Sequence, residues 1–338
     1  MKRPALLAAL AALGAACASA SPTAHPTAAS LVDAPIAPRR AWLSTRQRSH
    51  PLVGRIWDVK RQVFTEEGIL FSEVAGSDFV FLGETHDNPD HHVIQARLVR
   101  AATASGRRPA LALEMLESDV QPEVDRALAA APRDPDALAA AVKWDESGWP
   151  AFATYRPVFS AALDAGLPVV AANLSKALAR KAVRGGAAEL PRGLRTRLER
   201  DEPLPDEVVK SLRAEMRTSH CDALPESMLD PMALAQRARD AQMAERLGAS
   251  GAAGALLVTG SGHARVDRGV PAVLGRDLPG RRLLSIAMLE VESGRPSPKD
   301  YAADWGATGM LPFDYVIFTP AAEREDPCAK LRAAHAGK

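Results

Sequence analysis

Five polar or ionisable side chains of this 338-residue sequence end or closely follow short apolar runs. They are Glu84, His86, Glu114, Asn173 and His263. Carboxylates and imidazoles in one site can exchange protons with a bound molecule or hold a metal ion. Capping of a following helix could explain one or two of these side chains, but four separate run ends favour a ligand site.

The apolar runs have the composition of strands that are buried on both faces. Nearly every position in them is apolar, and helical patterns follow most of them, which is typical of parallel sheets. The runs span residues 78–82, 110–113, 167–172, 254–259, 283–289 and 315–318. They predict an α/β fold with a parallel central sheet and helices on both faces. Because parallel strands end at one edge, we expect the five side chains to converge there.

Capping side chains in front of prolines mark helix starts. The three pairs are Asn88-Pro89, Asp134-Pro135 and Asp230-Pro231. Residues from about 175 to 247 contain charge-rich helical patterns and no convincing strand. They predict a small helical subdomain inserted into the sheet, ending in a helix over 232–247.

The amino-terminal 20 residues resemble an export signal, with two basic residues before an apolar run that is too short to span a bilayer. Two processing routes are open: an ordinary small-residue cleavage site at 18–20, or a lipoprotein signal that makes Cys17 the lipidated first residue. We favour the second, which predicts a lipid anchor on a membrane surface. Residues 21–50 then form a flexible tether, residues 51–320 the folded domain, and residues 321–338 a carboxyl-terminal tail.

Composition narrows the function classes. The chain is 47% hydrophobic and 25% charged, which is ordinary for a globular protein. Its net charge of +1 offers no field that would attract nucleic acid, so we expect no nucleic-acid partner. Cys221 and Cys328 could pair in an oxidising compartment or remain separate thiols, and their spacing does not decide between these alternatives.

Several motifs, in order, resemble the ChaN-like haem-binding lipoprotein family. The first is Phe-Leu-Gly-Glu-Thr-His-Asp-Asn-Pro-Asp-His-His at 81–92, and others lie at 112–115, 155–157, 167–173 and 260–263. The resemblance implies a parallel sheet with a small helical domain and a role in haem and iron acquisition. It also implies export to the bacterial cell envelope, at the outer membrane if the cell is Gram-negative. The family likeness further implies a homodimer that holds two haems face to face, each through a tyrosine.

The resemblance points to Tyr155 as the haem-iron ligand, since this tyrosine lies within a family-like motif. Arg156, His86 and His263 are then candidates for binding the haem propionates, with Asn173 beside them. A competing interpretation packs Tyr155 into an apolar helix face with its neighbours at 152 and 159. The other two tyrosines are expected in a polar loop, at 301, and in the core, at 315.

A second hypothesis keeps the strand-end site and changes its chemistry. Glu84, His86, Glu114 and His263 more distantly resemble the arrangement in erythromycin esterase-like proteins. A histidine beside a carboxylate can activate water, and two histidines with two glutamates could hold a divalent metal. A third hypothesis is a lipid-anchored structural protein without a ligand. We interpret the chain as a haem-binding protein rather than an enzyme, with the hydrolase as the alternative.

Overall fold

A mixed sheet of eight strands organises the part of the chain that the computed structural model describes, which is residues 42–306, 309–326 and 328–329. The predicted signal peptide, Cys17 and most of the predicted tether lie outside these residues. The strands are β1 (Ile56–Asp58), β2 (Val63–Thr65), β3 (Phe79–Glu84), β4 (Ala110–Glu117), β5 (Val169–Asn173), β6 (Ala255–Gly260), β7 (Leu283–Glu290) and β8 (Tyr315–Thr319). Their order in the sheet is β2-β1-β8-β7-β3-β6-β4-β5.

The six predicted strands are β3 to β8, and neighbouring members of this set pair in parallel. The sequence interpretation missed β1 and β2, which form an antiparallel hairpin at one edge of the sheet. Each of these strands has three residues, which is too short for a hydrophobic period to stand out. The predicted α/β class with a parallel central sheet is confirmed, with this antiparallel edge added.

Helices cover both faces of the sheet, because each buried strand presents alternate side chains to opposite sides. In β3, Val80 and Leu82 belong to one hydrophobic core, whereas Phe79 and Phe81 belong to the other. The first core is closed by helices before the insertion: α1 (Glu67–Gly76), α2 (Pro89–Thr103), α3 (Gln121–Ala130), α4 (Pro135–Ala141) and α5 (Phe152–Asp164).

The predicted helical insertion is present between β5 and β6. It consists of α6 (Lys176–Gly185), α7 (Arg192–Arg200), α8 (Asp206–Ser219) and α9 (Glu226–Gly248). The last of these also packs on the second face of the sheet, together with α10 (Val270–Asp277). Short 3-10 helices complete the described elements: Ser118–Val120, Trp144–Glu146, Ala187–Glu189, Gly251–Ala253 and Pro298–Trp305.

Two of the three predicted helix starts are confirmed. The side chains of Asn88 and Asp134 accept hydrogen bonds from amides in the first turns of α2 and α4. The third start was wrong, because α9 begins at Glu226 and Pro231 lies inside it. Pro231 lies within the first two turns, where part of the helix has no intrahelical acceptor to lose, so the proline is tolerated.

Both ends of the described chain fold back onto the domain. The amides of Leu43 and Ser44, inside the predicted tether, donate to the Asp90 carboxylate at 2.8 Å. In the predicted tail, Ala321 forms a β-bridge with Arg46. The flexible segments are therefore shorter than the sequence indicated. No helix in the described portion is long and apolar enough to cross a membrane.

A disulfide links the insertion to the carboxyl-terminal segment. Cys221, in the turn between α8 and α9, is bonded to Cys328, and their Cα atoms lie 5.4 Å apart. The structure thus selects the paired alternative for these two cysteines. Just before Cys328 in the chain, the guanidinium of Arg324 binds Asp87 and Glu290, which attaches this segment to the sheet.

Candidate functional site

The carboxyl edge of the sheet brings together the side chains that the sequence singled out there. His86 Nδ1 lies 2.9 Å from Glu84 Oε1, and His263 Nε2 lies 3.6 Å from Glu114 Oε1. A Cβ at Gly260 would lie 3.0 Å from His86 Nε2 and 3.6 Å from Glu114 Oε2, so glycine allows these groups to approach the strand. We call Glu84, His86, Glu114 and His263, together with Tyr155, the sheet-edge network.

Glu84 is the buried acceptor of this network, with 3% of its surface exposed. Its carboxylate accepts hydrogen bonds of 2.6 Å from Gln95 and from the Tyr155 hydroxyl. Burial would raise the pKa of Glu84, but His92, 3.4 Å away, and His86 outweigh it and hold that pKa well below its usual range. Glu84 therefore stays ionised, and its oxygens are occupied by the protein itself.

Glu114 is the second buried carboxylate. It accepts 2.7 Å hydrogen bonds from the Thr259 hydroxyl and from the Gly260 amide. Burial opposes its ionisation, yet the charges of His263 and His86 lower its pKa. Between the two carboxylates, burial alone would lower the pKa of His86, but the bond to Glu84 and the charge of Glu114 raise it to about 9.

His263 is held from both sides by acids. Its Nδ1 donates to Asp240 at 2.6 Å, and its Nε2 faces Glu114. Burial would lower the pKa of His263, but Glu114 and Asp240 raise it above its ordinary value. The sequence analysis did not propose Asp240 as a site residue. The residue lies in the middle of α9, where no strand end marks it.

The structure contradicts the exposed-ligand hypothesis for Tyr155. The side chain has no exposed surface, its hydroxyl donates to Glu84, and its ring lies 3.9 Å from the ring of His92, centroid to centroid. Burial, and then the Glu84 charge, raise the pKa of Tyr155 far above its usual range. The competing interpretation is the one observed: Phe152, Tyr155 and Phe159 share the core beneath the sheet.

The remaining tyrosines are buried as well. Tyr315 lies in β8, as predicted, with 6% exposure. Tyr301 was expected in a polar loop but lies in the 3-10 helix Pro298–Trp305 with 3% exposure, and its hydroxyl accepts a hydrogen bond from the Glu292 amide. The chain has three tyrosines in all, so none of them offers an exposed phenol.

Arg156 is also placed away from the sheet edge. Its guanidinium is exposed and forms an ion pair with Asp136 on α4. Asn173 ends β5 as predicted, where it is 7% exposed and its Oδ1 has no hydrogen-bond partner in the described chain. It lines a small recess with Lys176 and Arg239.

A cavity of about 800 Å³ opens at this edge, between the sheet and the helical insertion. His86, Glu114 and His263 form its floor, whereas α6, α8 and α9 supply its walls. Apolar surface comes from Trp149 and from two methionines, at 216 and 232. Glu84 and Tyr155 do not line the cavity; they lie behind His86 and support it.

One wall of the cavity is basic, and we call Lys176, Arg180, Arg184 and Arg239 the cationic wall. Its three arginines form no hydrogen bond or ion pair with the rest of the described chain. The Nε of Arg239 is buried without a partner. Cations left unpaired beside a partly apolar cavity suit a ligand that combines apolar surface with anionic groups.

The sequence analysis did not identify this wall. A signal was present, because Lys176, Arg180 and Arg184 are spaced by four residues and therefore share one helix face. Such a charge run is more often a solvated helix surface, and sequence alone does not show that this face meets a cavity. In the described residues, no group of three or more histidines, cysteines or acids is placed to hold a metal ion, so the structure does not support the divalent-metal alternative.

The fold and the cavity define a class: an α/β protein with a ligand pocket between a sheet edge and an inserted helical subdomain. The family model described as haem-binding uptake, Tiki superfamily, ChaN matches residues 70–274. This match covers more than half of the chain, and the protein belongs to the ChaN family. The resemblance that the motif at 81–92 indicated is thereby confirmed.

Solved structures agree with the fold. ChaN of Campylobacter jejuni, a structure that describes cofacial haem binding, is 22% identical and has a TM-score of 0.62, with 78% of this chain and 95% of that chain covered. The type III effector HopBA1 is 16% identical with a TM-score of 0.40, covering 74% and 91% of the two chains.

A mutant of the erythromycin esterase EreC in its open conformation is 17% identical with a TM-score of 0.39, covering 88% of each chain. The TM-scores of HopBA1 and EreC are too low to support a functional argument. No curated protein matches the sequence.

Proposed function

We propose that this protein binds haem in the cavity between the sheet edge and the helical insertion. The observation that carries the proposal is the cationic wall, three of whose side chains lack a partner, beside apolar surface in a member of the ChaN family. Haem has an apolar macrocycle and two carboxylates, and it supplies an iron that takes axial ligands from the protein. A cavity of about 800 Å³ lies within the usual range for ligands of this size.

The cationic wall replaces Arg156 as the partner of the haem propionates. Arginine and carboxylate can form two parallel charge-assisted hydrogen bonds, which are among the stronger polar contacts in proteins. The buried, unpartnered Nε of Arg239 gives such a contact a defined donor. Of the residues that the sequence assigned to propionate binding, His86 and His263 remain at the cavity floor, and Asn173 remains beside Arg239.

The test compares two forms of the ligand. Purified protein titrated with ferric haem should give a shifted Soret band and saturate at a fixed stoichiometry. Haem dimethyl ester, in which the carboxylates are neutralised, should bind more weakly because the cationic wall loses its partners. Absence of a saturable Soret change with ferric haem would contradict the function, and equal affinity for the two forms would contradict the role of the cationic wall.

We further propose that the protein acts in haem and iron acquisition at the bacterial envelope, attached through a lipid on Cys17. The apolar run that ends at Cys17 and the basic residues before it support this proposal. Replacing Cys17 with alanine should release the protein from the membrane fraction. An unchanged distribution between membrane and soluble fractions would overturn the anchor.

A homodimer with two facing haems is the remaining proposal from the family resemblance. Sedimentation with and without ferric haem measures it directly, since haem held between two copies would stabilise the dimer by mass action. A monomer at all haem concentrations would contradict this proposal without affecting the cavity.

One observation favours hydrolysis as a second candidate. His263 lies between Asp240 and Glu114 on the cavity floor, and an imidazole oriented by one acid beside another can transfer protons. This set of Glu114, Asp240 and His263 replaces the one containing Glu84, which does not line the cavity. A screen of esters and amides should then reveal turnover that is lost in Glu114→Gln and His263→Ala.

A further inference from the structure

We infer that His220, on the helical insertion, is the axial ligand of the haem iron. The inference rests on the proposed haem-binding function and names the side chain that would hold the iron. Haem iron in proteins is bound by histidine, tyrosine, cysteine or methionine, so the residues of the cavity can be compared in turn. All three tyrosines are buried, and Cys221 is in a disulfide.

Three histidines line the cavity, and two of them already interact with acids through both ring nitrogens. His263 has Asp240 at Nδ1 and Glu114 at Nε2. His86 donates to Glu84 through Nδ1, and its Nε2 is directed at the surface of Gly260 close to Glu114. Imidazoles between carboxylates are held in the cationic form, which has no lone pair for iron.

His220 is the third histidine, and its environment differs. Its Nδ1 lies 2.9 Å from the Met216 carbonyl oxygen and 3.1 Å from the Ser219 hydroxyl. A carbonyl only accepts, so Nδ1 carries the proton and the lone pair of the neutral ring is on Nε2. Nε2 makes no hydrogen bond with the described residues, and the ring lines the cavity. Metal-binding histidines usually have this arrangement, with one nitrogen bonded to a carbonyl and the other free.

The backbone fixes the position of His220. The amides of His220, Cys221 and Asp222 all donate to carbonyls in the last turn of α8. The disulfide from Cys221 to Cys328 then attaches this turn to the carboxyl-terminal segment. A ligand held at a helix end by hydrogen bonds and a covalent link is preorganised for binding.

Met216 and Met232 are the remaining side chains that could reach iron. Thioethers are soft ligands, and in haem proteins methionine usually serves as the partner of a histidine. Either methionine could occupy the second axial position, but neither replaces the histidine. The cavity therefore assigns the first position to His220.

The experiment is resonance Raman spectroscopy of the ferrous haem complex of the full chain. Wild-type protein should show an iron–histidine stretching band, and His220→Ala should lose it. His50→Ala is the matched control, because His50 does not line the cavity and its Nδ1 accepts from the Leu52 amide. If His220→Ala folds poorly, His220→Gln, which keeps a donor for the Met216 carbonyl, takes its place.

The outcomes separate the ligand from the function. If wild-type protein shows no Soret change with haem, the proposed function fails and the inference fails with it. If wild-type protein binds haem but lacks the band, the ligand is not a histidine, and the inference alone is overturned. A band that persists in His220→Ala and His220→Gln assigns the iron to another histidine and also overturns it.

Discussion

The two sides of the cavity are built in opposite ways. On the sheet side, the sheet-edge network is saturated: the oxygens of Glu84 and Glu114 accept hydrogen bonds from the protein, and His263 lies between two acids. On the insertion side, the arginines of the cationic wall have no partner in the described chain. Groups that satisfy one another stabilise the fold, whereas groups that are left unsatisfied are available to a ligand.

Replacing Glu84 with alanine tests the structural side and should have the largest effect. The Tyr155 hydroxyl and the Gln95 amide would lose their acceptor in a buried place. Breaking a buried charged network typically costs about 3–5 kcal/mol, so the free energy of unfolding in urea should fall by that order. Glu123→Ala, which removes an exposed partner of Arg126, should cost less than about 1 kcal/mol. Similar losses in the two variants would refute the assignment of Glu84 to stability.

The double replacement of Cys221 and Cys328 with serine should have the next largest effect. Removing a link across 107 residues lowers the free energy of unfolding by about 2–4 kcal/mol in typical proteins. The loss should be local, with hydrogen exchange accelerated in α8 and α9 and unchanged in β3. Reduced wild-type protein is the control and should match the double variant. Faster exchange in β3 as well would show that the disulfide stabilises the sheet, not the insertion.

Replacing Arg180 and Arg184 with glutamine tests the binding side. Removing each charge-assisted hydrogen bond to a propionate should weaken ferric haem binding about tenfold, because 1.4 kcal/mol corresponds to a factor of ten. Stability should change by less than about 0.5 kcal/mol, since neither side chain has a partner in the described chain. Arg133→Gln, at an exposed arginine away from the cavity, is the control. Unaltered haem affinity in the double variant would assign the propionates to other residues.

The smallest effect is on the pH dependence of stability. The pKa of His86 is raised from an ordinary 6.5 to about 9 in the folded protein. A raised folded-state pKa adds stability that is complete below the unfolded value and is lost as the pH rises through the folded value. The free energy of unfolding should therefore decline between about pH 6.5 and pH 9, and His86→Asn should flatten this slope. Stability that rises over this interval in wild-type protein would contradict the charged state of His86.

The sequence predicted the fold and the sheet edge because their signals are local. Six apolar runs became the six parallel strands, and parallel strands bring their ends together, so Glu84, His86, Glu114 and His263 could be grouped in advance. The sequence could not show which of these groups face a cavity. Tyr155 has a family-like motif around it, but its burial depends on how α5 packs on the sheet.

The cationic wall and His220 could not be predicted for a different reason. They lie on helices whose charged faces would be equally compatible with solvent. Their meeting with the sheet edge depends on the tertiary position of the whole insertion, which no local pattern encodes. Asp240 is similar, since its role arises only because α9 passes beside His263.

A crystal structure of the protein grown with ferric haem tests the central claim most directly. The account predicts haem in the cavity, with iron bound to Nε2 of His220 and propionates on arginines of the cationic wall. The sheet-edge network should be unchanged, with Tyr155 still bonded to Glu84. Haem bound at another surface, or iron bound to Tyr155 after this network has opened, would contradict it.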